Sequence, residues 1–247
     1  MSAEAARTAA LARVRIVLSH TRHPGNIGAA ARAMKTMGLS RLYLVAPENF
    51  PDRQARVFAS GALDVLDSAI VCTSLPEALQ GTVLAVAATT RRRDLAHETL
   101  DCEAACQQLL GEAALGEVAV VFGPERSGLT VEEVSQCRLF AAIPASEAYS
   151  SLNLAQAVQV FAYELRKGTL EKKTPAPDSV PASHEEVENF LRHFEDGFYA
   201  TGFLDPEQPR RLMQRMRRMF ARTRLESEEV NILRGFLKAL QKKPDRE

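Results

Sequence analysis

The strongest signal for the architecture of this chain lies in the segment Phe122-Gly123-Pro124-Glu125-Arg126-Ser127-Gly128-Leu129. It follows the apolar run Val118–Val121, which is typical of a buried strand, so it lies where that strand ends. Its two glycines allow a tight turn, and Thr130 with Glu133 matches a capping box that begins a helix. Open α/β sheets bind ligands at this end of their strands. We therefore interpret the stretch as a binding loop, with an ordinary strand-to-helix turn as the alternative.

Similar short apolar runs recur on both sides of this loop. The predicted strands are Val14–Ser19, Arg41–Val45, Val83–Ala88, Val118–Phe122 and Leu139–Ile143. The helical patterns between and after them are Ile27–Met37, Leu75–Leu79, Cys102–Leu110, Val131–Gln136 and Leu152–Lys167. Ser74 with Glu77 matches a further capping box. Alternation of this kind, with strands apolar along their length, predicts an α/β fold whose mostly parallel sheet is covered on both faces.

The composition changes after residue 170. A Pro-rich segment within residues 171–182 is typical of a linker, and it divides residues 1–170 from a helical extension at 183–247. In that extension Ser183 with Glu186 predicts a helix start, and Asp205 and Pro206 match the N-cap and first position of another. The predicted helices there are Val187–Phe198, Glu207–Arg224 and Glu228–Gln241.

The middle helix of the extension is strongly basic. Seven arginines and no acid lie between Gln208 and Leu225. At helical spacing, one face carries four of them: Arg211, Arg215, Arg218 and Arg222. This face is either a surface for RNA phosphates, which guanidinium groups bind in a bidentate manner, or a solvated face balanced by nearby acids. The candidate acids are Glu185, Glu186, Glu188 and Glu195.

The bulk properties exclude several classes of protein. The 247 residues carry 31 basic and 31 acidic side chains, so a polyanion must be held by local patches. The four cysteines lack zinc-site spacing, and His20 with His23 is too small a set for a metal, so we expect no metal and reduced thiols in the cytoplasm. We find no signal peptide and no apolar run long enough for a bilayer, so we expect no membrane partner. No Gly-x-Gly-x-x-Gly, Walker A or Gly-x-Ser-x-Gly motif is present.

Polar residues cluster near the ends of several predicted strands. One cluster spans residues 19–28 and continues to Arg32, and another spans 144–153. We expect Asn26 at a helix N-cap with Arg32 facing the same cleft, and Ser150 or Ser151 at the N-cap of the helix Leu152–Lys167. A further run, Thr89-Thr90-Arg91-Arg92-Arg93-Asp94, is either a phosphodiester-binding loop or a solvated charged loop.

Three of these segments carry a resemblance to a known family. They are Asn26-x-Gly28-x-x-x-Arg32, Phe122-Gly123-Pro124-Glu125-x-x-Gly128-Leu129, and Ile143-Pro144 followed by Ser151-Leu152-Asn153-Leu154. In this order, across residues 14–167, they resemble the three motifs of the SpoU branch of the SPOUT RNA methyltransferases. The resemblance implies an α/β domain with a C-terminal trefoil knot, S-adenosyl-L-methionine as methyl donor, and a homodimer. The segment Val17–Gly28 and the helical extension are most similar to members that methylate the ribose of nucleotide 32 in the tRNA anticodon loop.

The resemblance also implies roles for individual residues. Expected cofactor contacts are Ala88, Thr89, Thr90, Gly123, Ile143, Ser150, Ser151 and Leu152, and expected catalytic positions are Asn26, Arg32, Glu125, Ser151 and Asn153. Arg22, Arg91, Arg92, Arg93 and the four arginines of the basic face are expected to hold the anticodon stem-loop. Because guanidinium groups stay charged in proteins, we interpret Arg32 as a clamp for phosphate and for the developing alkoxide. Glu125 is expected to organise Asn26 or the loop of the opposite subunit, and Ser151 to position the hydroxyl or the cofactor.

Three alternative functions remain open at this point. The same chemistry could act on ribosomal RNA or on another position of tRNA, which the three motifs do not distinguish. The chain could also be a catalytically silent RNA-binding scaffold, although phosphate binding alone does not require Asn26, Arg32, Glu125 and Ser151 together. A nucleotide-binding oxidoreductase is the alternative from fold class alone, and the missing glycine fingerprint disfavours it.

Overall fold

The computed structural model describes residues 8–89, 99–170, 180–205 and 211–241. The chain forms two compact units, Met1–Pro177 and Asp178–Glu247. The first unit holds the three motifs, and the second holds the basic helix.

A seven-stranded parallel sheet forms the centre of the first unit. Its strands are β1 Val14–Ser19, β2 Arg41–Val45, β3 Ile70–Cys72, β4 Thr82–Ala88, β5 Thr99–Asp101, β6 Glu117–Phe122 and β7 Leu139–Ala142, in the spatial order β3-β2-β1-β6-β4-β7-β5. The prediction of a parallel α/β sheet is confirmed. The two strands that the sequence did not predict, β3 and β5, have three residues each, and most of those residues are not buried.

Helices cover both faces of this sheet. They are α1 Pro24–Thr36, α2 Arg53–Ala59, α3 Leu63–Asp67, α4 Leu75–Leu79, α5 Cys102–Glu112, α6 Val131–Ser135 and α7 Leu154–Gly168. Side chains of α1, α5 and α7 form the larger core with one face of the sheet. Leu75, Leu79 and Val134, from α4 and α6, pack against the other face with Val17 and Val121. Burial on both faces explains why the central strands are apolar along their whole length.

The starts of the helices correct several expectations. The capping box of Thr130 and Glu133 is confirmed. Asn26 is not an N-cap, because α1 already begins at Pro24, whose fixed φ suits the first helical position, and His23 is the cap residue. Neither Ser150 nor Ser151 caps α7.

The cap of α7 is Asn153, whose side-chain oxygen accepts a hydrogen bond from the backbone N–H of Ala155 at 2.9 Å. Ser74 is the N-cap residue of α4 but makes no side-chain cap bond. The Glu77 carboxylate instead accepts from the backbone N–H of Thr73 at 2.7 Å.

Helices make up most of the described residues of the second unit. Its helices are α8 His184–Ala200, α9 Leu212–Arg222 and α10 Ser227–Gln241. Phe190, Leu191, Val230 and Leu237 form its core, against which Phe220 of α9 packs edge-on to Phe190. The capping box of Ser183 and Glu186 is confirmed.

Two further details of this unit differ from the predicted boundaries. The basic helix begins at Leu212 with Arg211 as its cap residue, and Pro206 lies outside the described residues. Pro181 pairs with Glu226, and Ala182, buried, donates its backbone N–H to the Leu225 carbonyl at 2.8 Å. The last residues of the predicted linker are therefore packed into the helical unit.

The trefoil knot implied by the resemblance stays a prediction. No helix within the described ranges is long and apolar enough to cross a bilayer.

Candidate active site

A cleft lies at the carboxyl ends of β4, β6 and β7, where the second and third motifs meet. Its volume is about 170 Å³. The residues that line it are Ala88, Thr89, Phe122, Gly123, Pro124, Glu125, Arg126, Gly128, Ala141, Ile143, Ser150, Ser151, Leu152, Leu154, Ala157 and Phe161. Its position agrees with the rule that open α/β sheets bind ligands at the ends of their strands.

The lining includes every expected cofactor contact that the structure describes. Thr90, and with it Arg91, Arg92 and Arg93, lies outside the described residues. The lining combines apolar groups such as Ile143 and Leu152 with the hydroxyls of Thr89, Ser150 and Ser151. A site of this composition accepts a ligand that has both flat apolar parts and hydrogen-bonding groups.

Side chains from the three motifs form one hydrogen-bonded chain beside the cleft. Asn153 donates through Nδ2 to Oδ1 of Asn26 at 3.0 Å, and Asn26 donates through Nδ2 to Oε1 of Glu125 at 2.7 Å. The Glu125 carboxylate also accepts from the backbone N–H groups of Arg22 at 3.3 Å and His23 at 3.4 Å. Three of the five expected catalytic residues thus contact one another, and Glu125 and Ser151 both line the cleft.

The environment of Glu125 keeps its carboxyl ionised. Burial raises the pKa of this group, but the hydrogen bonds from Asn26 and from the backbone N–H groups of Arg22 and His23 lower it by more. The net pKa lies below the ordinary value of 4.5. Glu125 is therefore a poor general base near neutral pH, and its negative charge favours a cationic group in the cleft.

Two motif glycines are required by backbone packing. A Cβ on Gly123 would lie 2.2 Å from the backbone nitrogen of Leu129 and 2.4 Å from the carbonyl carbon of Gly128, so the loop could not fold over itself. A Cβ on Gly28 would lie 2.0 Å from the carbonyl oxygen of Ala55, where α1 crosses α2. The close approach of Gly123 to a cofactor stays a prediction, but its own loop already demands glycine.

Neither Arg32 nor Arg22 is among the described residues that line the cleft. Arg32 is exposed on α1 and is not among the described residues that line the cleft. This differs from the expectation that Arg32 and Asn26 share one cleft, because six helical residues turn the two side chains about 120° apart. The Arg22 guanidinium forms an ion pair through Nε with Oε1 of Glu48 at 2.9 Å, and both side chains are about half exposed, at 51% and 49%.

Several lining residues were not predicted. Leu154, Ala157 and Phe161 reach the cleft from α7, and their spacing of three and four residues marks one helical face. Phe122, Pro124, Arg126 and Gly128 belong to the quoted stretch itself, whereas Ala141 shows no signal in the sequence. Arg126, which had no predicted role, is exposed at the rim.

The basic face of α9 divides into free and paired arginines. Arg211, Arg215 and Arg222 are exposed, and within the described part of the chain they make no ion pair. Arg217, on another side of the helix, forms a two-point ion pair with Glu188, one of whose contacts measures 2.9 Å. The acid-balanced alternative applies to Arg217, which lies outside the predicted face, whereas Arg218, which belongs to that face, is only partly exposed.

Within the ranges that the structure describes, no group of His, Cys, Asp or Glu side chains could hold a metal ion. Burial raises the pKa of the Cys137 thiol above its ordinary value, so this thiol stays protonated at neutral pH.

Comparison with known proteins gives matches to both units. The SpoU rRNA Methylase family model matches residues 13–163, and the model of the tRNA methyltransferase TrmJ C-terminal domain matches residues 185–247. The chain is 45% identical over 237 residues to the tRNA (cytidine/uridine-2'-O-)-methyltransferase TrmJ of Cronobacter sakazakii, covering 94% of this chain and 97% of that one.

Two further relatives extend this result. The tRNA (cytidine/uridine/adenosine-2'-O-)-methyltransferase TrmJ of Pseudomonas aeruginosa is 44% identical over 246 residues, covering 94% of this chain and 95% of that one. The crystal structure of TrmJ from Z. mobilis ZM4 superposes with a TM-score of 0.81 at 34% identity, covering 92% of this chain and 99% of that one.

Proposed function

Because this chain belongs to the SpoU methylase family, we propose that it transfers a methyl group from S-adenosyl-L-methionine to the ribose 2'-hydroxyl of nucleotide 32 in the tRNA anticodon loop. The single observation that carries this proposal is the hydrogen-bonded chain of Glu125, Asn26 and Asn153, which joins the first motif to the two motifs that line the cleft. We further propose that the enzyme works as a homodimer in the cytoplasm.

The similarity over both units supports tRNA as the substrate. The helical unit resembles a domain found in TrmJ tRNA methyltransferases, and the relatives with the same two units carry that activity in their names. Their names differ in the accepted base: one includes adenosine and the other does not. A 2'-hydroxyl is present on every ribonucleotide, so methylation can tolerate different bases. We propose cytidine and uridine as substrates at nucleotide 32.

The cleft residues fit S-adenosyl-L-methionine. Ala88, Ile143 and Leu152 offer apolar walls for a flat base, and Thr89 and Ser150 offer hydroxyls for a ribose. The ionised Glu125 carboxylate supplies a negative charge for a cationic ligand. When bound there, the cofactor would supply an electrophilic methyl group to the ribose oxygen and leave as S-adenosyl-L-homocysteine, and the 2'-hydroxyl proton would pass to the substrate phosphate that Arg32 is proposed to bind.

The residues around the cleft position the attacking hydroxyl. Methyl transfer in line needs fixed geometry more than it needs a strong base, and the rigid chain from α7 through Asn26 to Glu125 provides a fixed wall. Ser151 lies at this wall with its side chain exposed. We propose that Ser151 accepts or donates a hydrogen bond to hold the ribose, while Glu125 holds Asn26 in place.

Arg32 would stabilise charge on the substrate. Its guanidinium can bind phosphate and a developing alkoxide. Arg32 is not among the described residues that line the cleft of its own subunit. We propose that Arg32 serves the cleft of the partner subunit in the homodimer. The exposed arginines of α9, together with Arg22, would hold the anticodon stem-loop through its phosphates.

The proposal is tested by incubating the full-length protein with unmodified tRNA transcripts and S-adenosyl-L-methionine carrying a labelled methyl group. Mass spectrometry then maps every 2'-O-methyl group. We expect label at nucleotide 32 only, and we expect Arg32→Ala to abolish transfer while it keeps cofactor affinity.

Other outcomes separate the alternatives. Label at another nucleotide, or on ribosomal RNA offered in parallel, would replace the proposed substrate while leaving the chemistry intact. Cofactor binding without methylation of any RNA would favour a silent scaffold. An Arg32→Ala variant that retains most of its turnover would exclude the proposed role of Arg32.

A further inference from the structure

The loop between β2 and α2 contacts the backbone segment whose N–H groups donate hydrogen bonds to Glu125. Two consecutive residues of this loop, Glu48 and Asn49, make three contacts with residues 21–22. The backbone N–H of Glu48 donates to the Thr21 carbonyl at 3.1 Å, and the Glu48 carboxylate pairs with the Arg22 guanidinium at 2.9 Å. The Asn49 side chain donates through Nδ2 to the Arg22 carbonyl at 3.1 Å.

These contacts are connected to Glu125, a residue of the cleft lining, through the peptide backbone of residues 21–23. The Arg22 carbonyl that accepts from Asn49 belongs to the same peptide unit as the His23 N–H, and that N–H donates to Glu125. The Arg22 N–H, which donates to the other carboxylate oxygen, belongs to the same peptide unit as the Thr21 carbonyl that accepts from Glu48. A shift of these two consecutive peptides therefore moves both backbone donors relative to the carboxylate.

The hydrogen bonds from Arg22 and His23 to Glu125 are long enough to be sensitive to small displacements of the backbone. The N···O distances from Arg22 and His23 to Glu125 are 3.3 and 3.4 Å, beyond the usual range of about 2.7–3.2 Å. A further displacement of a few tenths of an ångström would break them. Asn49 and Glu48 are both exposed, and contacts between exposed side chains add little to global stability.

We propose that Asn49, supported by Glu48, is a positioning residue for the proposed methyl transfer: it fixes the Arg22–His23 peptide against Glu125 and so fixes Asn26 and Asn153. This inference rests on the proposed function. Neither residue lies in any of the three motifs. They reach the site because β1 and β2 are neighbouring parallel strands, so the loops that follow them lie side by side.

The test is a double-mutant cycle in the full-length enzyme. Asn49→Asp keeps the shape of the side chain and removes its donor, and Asn49→Ala removes both groups. The rate of a single turnover is measured at saturating tRNA and S-adenosyl-L-methionine, in the wild-type background and with Glu125→Gln. We expect each Asn49 variant to slow transfer about tenfold, since small misplacements near the reacting atoms have effects of this size or larger.

Non-additivity is the diagnostic result. If Asn49 acts through Glu125, its substitution should change the rate less than twofold once Glu125 is replaced. Affinities for tRNA and for the cofactor and the melting temperature should stay at wild-type values, and Asn49→Gln, which keeps the donor, should recover part of the rate. The matched control is Asn231→Ala, at an exposed position of α10. Full additivity, or a wild-type rate in Asn49→Asp, would overturn the proposal.

A second measurement does not depend on activity. Amide hydrogen exchange at Arg22 and His23, followed by NMR, should be faster in Asn49→Ala than in the wild type. Unchanged exchange would overturn the positioning role itself. A wild-type enzyme that methylates no RNA would overturn the proposed function, and with it the catalytic consequence, while the exchange result would still decide whether Asn49 positions the peptide.

Discussion

Asn153 and Asn26, 127 residues apart in the sequence, are joined by a hydrogen bond of 3.0 Å. The direction of this bond is fixed at both ends. The Asn153 oxygen accepts from the backbone of Ala155, so its amide nitrogen faces Asn26. The Glu125 carboxylate, when ionised, can only accept, so the Asn26 nitrogen faces Glu125. The helix cap, the first motif and the cleft therefore form one directed hydrogen-bond chain.

This hydrogen-bond chain predicts that Asn153→Asp slows methyl transfer but leaves the stability of the protein unchanged. Aspartate caps a helix about as well as asparagine, so α7 should keep its start. The lost donor would place an oxygen against Oδ1 of Asn26, and we expect transfer to slow on the order of 10- to 100-fold. Thermal unfolding and single-turnover kinetics measure the two effects.

A cap elsewhere in the first unit supplies the control. Asp101 caps α5 by accepting from the Ala104 N–H at 2.7 Å, and it does not line the cleft. Asp101→Ala should lower the free energy of unfolding by about 1 kcal/mol and leave transfer unchanged. Asn153→Asp with a wild-type rate would show that the hydrogen-bond chain does not matter for catalysis.

Gly123→Ala should destroy cofactor binding by distorting the loop. Its Cβ would lie 2.2 Å from a backbone nitrogen, which no side-chain movement can relieve. We expect cofactor affinity to fall more than about tenfold, measured by calorimetry. Gly111→Ala in α5 is the matched control, because no atom lies within 4 Å of the added Cβ. That variant should be stabilised by up to about 1 kcal/mol and bind normally, and equal affinities in the two variants would contradict the prediction.

The ionisation of Glu125 predicts a dependence on pH. A carboxyl whose pKa is lowered in the folded state stabilises the protein at pH values above its ordinary pKa of 4.5. This contribution is lost as the pH falls through the pKa of the folded state. Asn26→Ala removes one of the hydrogen bonds that lower this pKa, while burial still raises it. The pKa of Glu125 should therefore rise, so its carboxylate should contribute less stability near neutral pH and less stability should be lost on acidification.

Carbon-detected NMR of the glutamate carboxyls measures this titration, with Glu125→Gln to assign the signal. Asn189→Ala, at an exposed asparagine of α8 that contacts Arg192, is the control and should leave the curve unchanged. A Glu125 signal that titrates at the same pH in Asn26→Ala would contradict the role given to Asn26.

The sequence predicted the parts of the fold whose patterns are local. β1, β2 and α4 have the predicted bounds, because buried strands are continuously apolar and α4 lies between turn residues. β3 and β5 are short and partly exposed, so no pattern marks them. The start of α1 was misplaced because asparagine is a common cap residue, whereas Pro24 fixed the start two residues earlier.

The sequence predicted those parts of the site in which a single motif lines one wall of the cleft. The stretch Phe122–Leu129 was predicted as a binding loop from its position after a strand, residues 150–152 were predicted as cofactor contacts from the family resemblance, and residues of both segments line the cleft. The contacts of Glu48 and Asn49 with Arg22 could not be predicted in this way. They depend on two loops that meet only because their strands are neighbours in the sheet.

The basic face of α9 yields the last prediction. If Arg215 and Arg222 bind phosphates, replacing both with alanine should lower tRNA affinity and flatten its dependence on salt by about 0.7–0.9 per lost contact in a plot of log K against log salt. Cofactor affinity should not change. Arg217→Ala is the control, since Arg217 pairs with Glu188. It removes one positive charge from the same helix, against two in the test variant, so it should destabilise the helical unit and leave the salt slope at its wild-type value. An equal change of slope per removed charge would mean that the net charge of α9 matters and the position of its arginines does not.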